Sequence, residues 1–199
     1  MLAAMPQLAS FIQTQMVEGL LNKEDDLLLN GPGGANNLLG IWTQATAYSP
    51  SPNSQAAGPN ADLWNYFIDS IKQLSKLNYR PNGILVNPEL YFEMFQQKTS
   101  GGEYNVPYAG VTITEGGVRI MGVPLIQTTT AALGETSFIV GDWRQATLLQ
   151  REGLSFEISY EDADNFTKNL VTLRLEERIG LAVYHAPAFI KGTLPVQGA

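Results

Sequence analysis

Residues 161–193 of this chain read EDADNFTKNLVTLRLEERIGLAVYHAPAFIKGT. From Val171 to Val183 apolar side chains occupy the odd positions, with Glu177 as the exception, and the even positions up to Arg178 are polar or charged. This period of two predicts one long strand over 169–184, because successive side chains of a strand point to opposite faces.

The residues before this stretch predict a mixture of helices and short strands. Apolar side chains spaced three and four apart predict helices over 6–24 and 62–74. Asn87-Pro88-Glu89 predicts a further helix start, since it supplies a cap, a proline at the first helical position and an acid in the first turn. Residues 99–117 are Gly-rich and predict irregular structure. The predicted strands are 83–86, 118–121, 123–127, 137–140, 146–150 and 154–160. Helices and strands that do not alternate regularly indicate an α+β fold.

Composition excludes several classes of protein. The chain has 199 residues, and 12 Lys and Arg stand against 19 Asp and Glu, which gives a net charge of −7. The sequence has no block of basic residues that could displace many counterions from a phosphate backbone, so nucleic-acid binding is disfavoured. Apolar runs are short, so we expect neither a membrane span nor a signal peptide, and a soluble intracellular protein. The absence of Cys excludes disulfides, thiolate zinc sites and a cysteine nucleophile.

Few residues could carry chemistry. His185 is the single histidine, so no multi-histidine metal site can be built. Gly31-Pro32-Gly33-Gly34 lacks the Lys-Ser or Lys-Thr of a phosphate-binding loop and predicts a turn. Glu161, Asp162 and Asp164 could hold a hard cation, but without calcium-loop spacing a solvated turn is expected. We therefore predict no enzyme activity, no cofactor and no metal site.

The quoted stretch closely resembles the end of major capsid proteins of tailed phages with the Hong Kong-type fold. Further blocks resemble the same family in the same order, and these are 27–41, 83–88, 121–130 and 138–143. Each block alone is weak, but the ordered series makes the resemblance specific.

The resemblance implies a division of the chain into domains. Residues 35–160 would form an axial domain, while 1–34 would give the end of a spine helix and a loop to a peripheral domain. Residues 161–199 would provide the return strands of that peripheral domain. Family members usually carry, before this point, an amino-terminal arm, a long hairpin called the E-loop and most of the spine helix. We therefore expect a truncated piece that forms a monomer or small oligomer rather than a closed shell.

The resemblance also implies a reaction. Some members cross-link their shells by an isopeptide bond, in which a Lys on the E-loop attacks an Asn amide and a nearby Glu acts as base. Asn169 and Glu176 match these positions. On one strand, at ~3.3 Å per residue, they would lie roughly 23 Å apart on opposite faces, so that acceptor and base would come from different subunits. The E-loop Lys is missing from this chain, and ordinary strand-end and ion-pairing roles are the alternative for both residues.

A shell subunit is expected to contact copies of itself in hexamers and pentamers, as well as other phage head proteins. An ordinary solvated surface is the alternative for every candidate contact. The candidates are the loop aromatics Tyr48, Tyr104 and Tyr108 and the ion-pairing residues Arg174, Glu176, Glu177 and Arg178. No specific nucleic-acid sequence and no membrane is expected as a partner. The expected location is the virion head, and the bacterial host cytoplasm before assembly.

Two other functions remain open on the sequence. An encapsulin, which is the shell subunit of a nanocompartment that encloses enzymes, shares the fold. An unrelated α+β enzyme or ligand-binding domain would need a deep pocket with convergent polar groups, and no residues in the sequence point to one.

Overall fold

The computed structural model describes residues 5–35, 37–51, 63–96, 98, 102–104, 110–114, 116–130 and 133–194. Its helices are α1 (Met5–Asn30), α2 (Ile41–Gln44), α3 (Leu63–Lys76), α4 (Pro88–Gln96) and α5 (Asn165–Lys168). Its strands are β1 (Thr46–Ala47), β2 (Gly83–Val86), β3 (Val111–Thr114), β4 (Gly117–Ile120), β5 (Val123–Gln127), β6 (Ser137–Gly141), β7 (Ala146–Ser159), β8 (Thr172–Val183) and β9 (Phe189–Thr193). The fold is therefore α+β, as predicted.

Seven strands form one mixed sheet in the order β1-β9-β6-β2-β5-β4-β3. Its central strand β2 pairs parallel with β5 and antiparallel with β6. Apolar side chains of α3, α4 and the sheet form the main core, in which Phe67, Ile84 and Phe138 are fully buried. The continuous apolar run of β2 follows from this burial, because both of its faces are covered.

A second core joins α1 and α2 to the other parts of the chain. Leu29 at the end of α1 and Ile41 in α2 are buried with Ile139 of β6 and Phe189 of β9. Leu181 of β8 packs against this cluster. The second core therefore fixes α1 and the C-terminal part of β8 to strands β6 and β9 of the large sheet.

Strands β7 and β8 form a separate two-stranded antiparallel sheet, which we call the ribbon. The pairing register shifts between Gln150 and Glu152 and again between Glu152 and Ser155. Extra residues in β7 at these shifts are β-bulges, which bend a strand without ending it.

Several predicted elements are confirmed and others need correction. The structure confirms β2 and β5 at their predicted bounds, and α4 begins at Pro88, where the Glu89 N–H donates to Asn87 Oδ1 at 3.0 Å. Helix α1 is longer than predicted and ends at Asn30. The two strands predicted over 146–160 are one bulged strand. Within the predicted irregular segment, 111–114 form strand β3, which pairs with β4.

The division into 1–34, 35–160 and 161–199 stays a prediction. The strand pairing bears on its boundaries at two points. Strand β7, predicted within the axial part, pairs with β8, and β9, predicted with the peripheral return strands, pairs with β6 in the large sheet. Strand pairing joins residues that are distant in sequence. The two sheets therefore do not follow the predicted division into three consecutive segments.

Candidate functional site

The half of the ribbon that lies next to the β7–β8 connection has one apolar face. Phe156 lies opposite Leu175, and Ile158 lies opposite Leu173, so these four side chains share a face, which we call the ribbon face. None of them is buried, and Ile158 is 47% exposed. A two-stranded ribbon is marginal in water on its own, and an exposed apolar face of this kind marks a contact surface.

The connection between β7 and β8 carries further exposed apolar groups. Phe166 in α5 is 88% exposed, and Tyr160, Leu170 and Val171 beside it are exposed as well. We call these four residues the ribbon tip. The sequence pattern predicts a solvated turn for this segment, and these four exposed apolar side chains are not among the predicted contact residues. The available signal was an aromatic residue within an otherwise acidic and polar turn.

The opposite face of the ribbon is polar and carries ion pairs. Arg174 Nη2 lies 2.6 Å from Glu157 Oε2, and Arg174 Nε lies 3.6 Å from Glu176 Oε2. The hydrogen bond to Glu157 and the charges of both glutamates raise the pKa of Arg174. Arg178 Nε pairs with Glu152 Oε2 at 3.2 Å. These side chains are exposed by about half or more, so the pairs are solvated and are available to reorganise in an interface.

Of the ion-pairing candidates, Arg174, Glu176 and Arg178 form ion pairs within the chain, and the place of all four in a subunit interface stays a prediction. Among the residues that the structure describes, Glu177 makes no ion pair. It lies on the other face of β8 and lines a groove of about 860 Å³ between α1 and the ribbon, with Glu24 of α1 on the facing wall. An odd position in an alternating strand turns its side chain away from its even neighbours Glu176 and Arg178.

The two proposed cross-linking residues lie in different kinds of structure. Glu176 is in β8, but β8 begins only at Thr172, so the strand predicted from 169 is wrong at its start. Asn169 instead ends α5 in the left-handed conformation, with φ 54° and ψ 46°. Asn adopts this conformation more readily than most residues, because its short polar side chain can form a hydrogen bond with the nearby backbone. The separation estimated for one continuous strand therefore does not apply, and the cross-linking role stays a prediction.

The three tyrosine candidates have different positions. Tyr48 is partly buried: its hydroxyl donates to Asp69 Oδ2 at 2.9 Å, and its ring packs near Tyr66 and Phe138. Its place in a subunit interface stays a prediction. Tyr104 is 66% exposed, with the Lys98 ammonium 5.2 Å from the centre of its ring. Tyr108 lies outside the described residues.

Other chemistry-bearing residues are scattered. Within the described ranges, no three His, Cys, Asp or Glu side chains come together in a way that could hold a metal ion. His185 is exposed, with its ring 6.2 Å from that of Tyr79. The described helices include none with both the length and the apolar character needed to cross a membrane.

Known proteins with similar sequences and structures are phage capsid proteins. A family model described as the phage capsid family matches residues 1–194. The chain is 34% identical over 189 residues to the major capsid protein of Enterobacteria phage HK97, which covers 94% of this chain and 47% of that relative. The chain thus spans about half the length of the curated relative that it matches.

Solved structures share the fold at low sequence identity. One from Microbacterium phage Oxtober96 has a TM-score of 0.73 at 13% identity, covering 94% of this chain and 65% of that one. Another, described as the capsid of an empty GTA particle, has a TM-score of 0.69 at 14% identity, covering 95% and 65%. The α+β architecture with its large mixed sheet and ribbon is therefore that of phage capsid proteins, and this chain belongs to the phage capsid family.

Proposed function

We propose that the chain is a structural subunit of the icosahedral head shell of a phage or prophage, and that it self-associates into capsomers that enclose DNA. The exposed apolar surface of the ribbon carries this proposal. Ribbon face and ribbon tip are contiguous along one narrow element, and Phe166 at the tip is 88% exposed. Such a surface is costly in water and is favourable when another subunit covers it.

The partners follow from the same proposal. Copies of the chain would meet in hexamers and pentamers, and other phage head proteins would contact the assembled shell. Specific contacts of this kind bury at least about 1,000 Å² each. The net charge of −7 argues against tight or sequence-specific binding of the enclosed DNA, and no membrane partner is proposed. The protein would reside in the virion head, and in the host cytoplasm before assembly.

Other functions have less support. The curated relative is the major capsid protein of a phage, which favours a phage shell over an encapsulin-like compartment. The family consists of structural proteins and is not known for enzymes. Cross-linking through Asn169 and Glu176 remains part of the proposal for a longer chain that contains the attacking Lys.

Light scattering on the purified chain over a wide range of concentration tests self-association. We expect a mass that rises with concentration up to a few subunits, and the variant Ile158→Ser in the ribbon face should reduce it. Ile113→Ser is the matched control, since Ile113 is 55% exposed on β3 in the other sheet. A monomer at every concentration would contradict self-association of this chain by itself, and an equal effect of both variants would contradict the role of the ribbon face.

A further inference from the structure

Glu177 is the one charged residue within the apolar face of β8. Its neighbours on that face are Leu175 and Ile179, which continue the alternation on either side. Helix α1 packs against β8, and Glu24 of α1 and Glu177 of β8 line the same groove between these two elements. Two acids thus face each other where the sequence pattern calls for an apolar contact.

Three cations line the groove together with this pair, and these are Lys23, Arg151 and Arg178. Within the described part of the chain, neither Glu24 nor Glu177 forms an ion pair. Arg178 of β8 is paired with Glu152 of β7. Of the remaining charges, Lys23 of α1 and Arg151 of β7 line the groove, and Asp25 of α1 adds negative charge near Glu24.

We propose that Glu24 and Glu177 form a proton-operated latch between α1 and β8. When Glu24 is protonated, its carboxyl group donates a hydrogen bond to the Glu177 carboxylate and α1 is held against the ribbon. When both groups are ionised, they repel each other across a groove with partly apolar walls, and this part of α1 loosens.

The direction of the pH dependence follows from the environment of Glu24. Burial, and then the charge and hydrogen bond of Glu177, raise the pKa of Glu24 above its ordinary value of 4.5. The folded protein therefore binds this proton more tightly than the unfolded chain does. The pair costs stability when the pH is above the raised pKa, and this cost disappears as the pH falls toward 4.5.

Replacing either acid with its amide tests the latch in the full chain. In Glu177→Gln the new amide can donate to the Glu24 carboxylate at every pH, so that this contact no longer needs a proton on Glu24. We expect Glu177→Gln and Glu24→Gln to shift the denaturant midpoint upward at about pH 7.5, with the shift vanishing near about pH 4.5. Glu18→Gln is the control, because Glu18 lies on α1 with an exposed side chain that accepts a hydrogen bond from Gln15.

Hydrogen exchange measures the loosening locally. Peptides covering residues 20–28 should be less protected in the wild type at about pH 7.5 than at about pH 5, after correction for intrinsic exchange rates. Both Gln variants should be equally protected at the two pH values. Light scattering at both pH values measures the oligomeric state, so that a change in self-association is distinguished from loosening of α1.

Two results would overturn the latch. One is a midpoint shift in the Gln variants that is the same at both pH values. The other is a pH-dependent protection of residues 20–28 that persists in Glu177→Gln and Glu24→Gln. Either would show that the two carboxyl groups do not control how α1 packs against β8.

Discussion

Phe138 on β6 lies directly opposite Gly192 on β9, and its ring occupies the space above the glycine. A Cβ atom at Gly192 would come within 2.5 Å of the Phe138 ring. The reverse arrangement occurs further along the same strand pair, where Gly141 faces Phe189. These two pairs fit β9 closely against β6, because each large ring lies over a facing residue that has no side chain.

Replacing Gly192 with Ala should destabilise the protein. The Phe138 ring is fully buried and the new methyl group would force it out of its position, so we expect Gly192→Ala to lower the free energy of unfolding by about 1–3 kcal/mol. Denaturant titration measures this change. In the control Gly180→Ala the new Cβ has its nearest neighbour at 3.8 Å, and the change should stay within about 0.5 kcal/mol. Equal effects of the two changes would contradict the role assigned to the ring.

Removing the Tyr48 hydroxyl should weaken the loop before α3. Asp69 is 4% exposed, and its carboxylate accepts hydrogen bonds from the Tyr48 hydroxyl at 2.9 Å, the Ser51 N–H at 3.1 Å and the Gln73 amide at 2.9 Å. A hydrogen bond to a buried charge contributes about 1.5–3 kcal/mol, so Tyr48→Phe should lower the free energy of unfolding by that amount. Tyr184→Phe, at a residue 60% exposed, is the control and should change little.

Acid should destabilise the fold through two buried aspartates. Burial alone raises the pKa of Asp69, but the hydrogen bonds from Ser51, Tyr48 and Gln73 outweigh it, so the pKa lies below 3.8. Hydrogen bonds from Arg144 lower the pKa of Asp142 below 3.8 in the same way, despite its burial. Each group binds a proton more weakly in the folded state, so its stabilisation is present above pH 3.8 and is lost as the pH falls through the folded pKa.

Unfolding measured from about pH 6 to about pH 2 checks this expectation. The wild type should lose stability progressively below pH 3.8, and Asp69→Asn should be less stable at pH 6 but lose less on acidification. If the variant and the wild type lost the same free energy over this range, Asp69 would not contribute to acid unfolding.

Local signals in the sequence were sufficient for some elements. The bounds of β2 and the start of α4 were predictable because the apolar run and the Asn87 cap act within a few residues. The α+β class was predictable from the order of these local patterns along the chain. The resemblance to phage capsid proteins came from the ordered series of sequence blocks. For β7 the local signal was misleading: Gly153 indicates a turn, but pairing with β8 carries the strand through two bulges.

The candidate surface was predictable only in part. Alternation identified the polar side of β8, and Arg174, Glu176 and Arg178 do pair there with each other or with β7. The ribbon face was not predictable, because nothing in the pattern says whether an apolar face is covered by its own chain. Tyr48 shows a second limit, since nothing in its loop sequence indicated that its hydroxyl donates to the buried Asp69 carboxylate in a partly buried hydrogen bond.

Substitution at the ribbon tip should separate association from stability. Phe166 is 88% exposed, so Phe166→Ser should leave the free energy of unfolding within about 0.5 kcal/mol of the wild type. Loss of its aromatic surface should nevertheless weaken self-association, because exposed aromatic groups contribute strongly when an interface buries them. Analytical ultracentrifugation of both proteins, with Phe92→Ser as the control, measures the difference. Phe92 is 56% exposed on α4, away from the ribbon, so its loss should not change the association constant. An unchanged association constant in Phe166→Ser would remove the ribbon tip from the contact surface and leave the ribbon face as the remaining candidate.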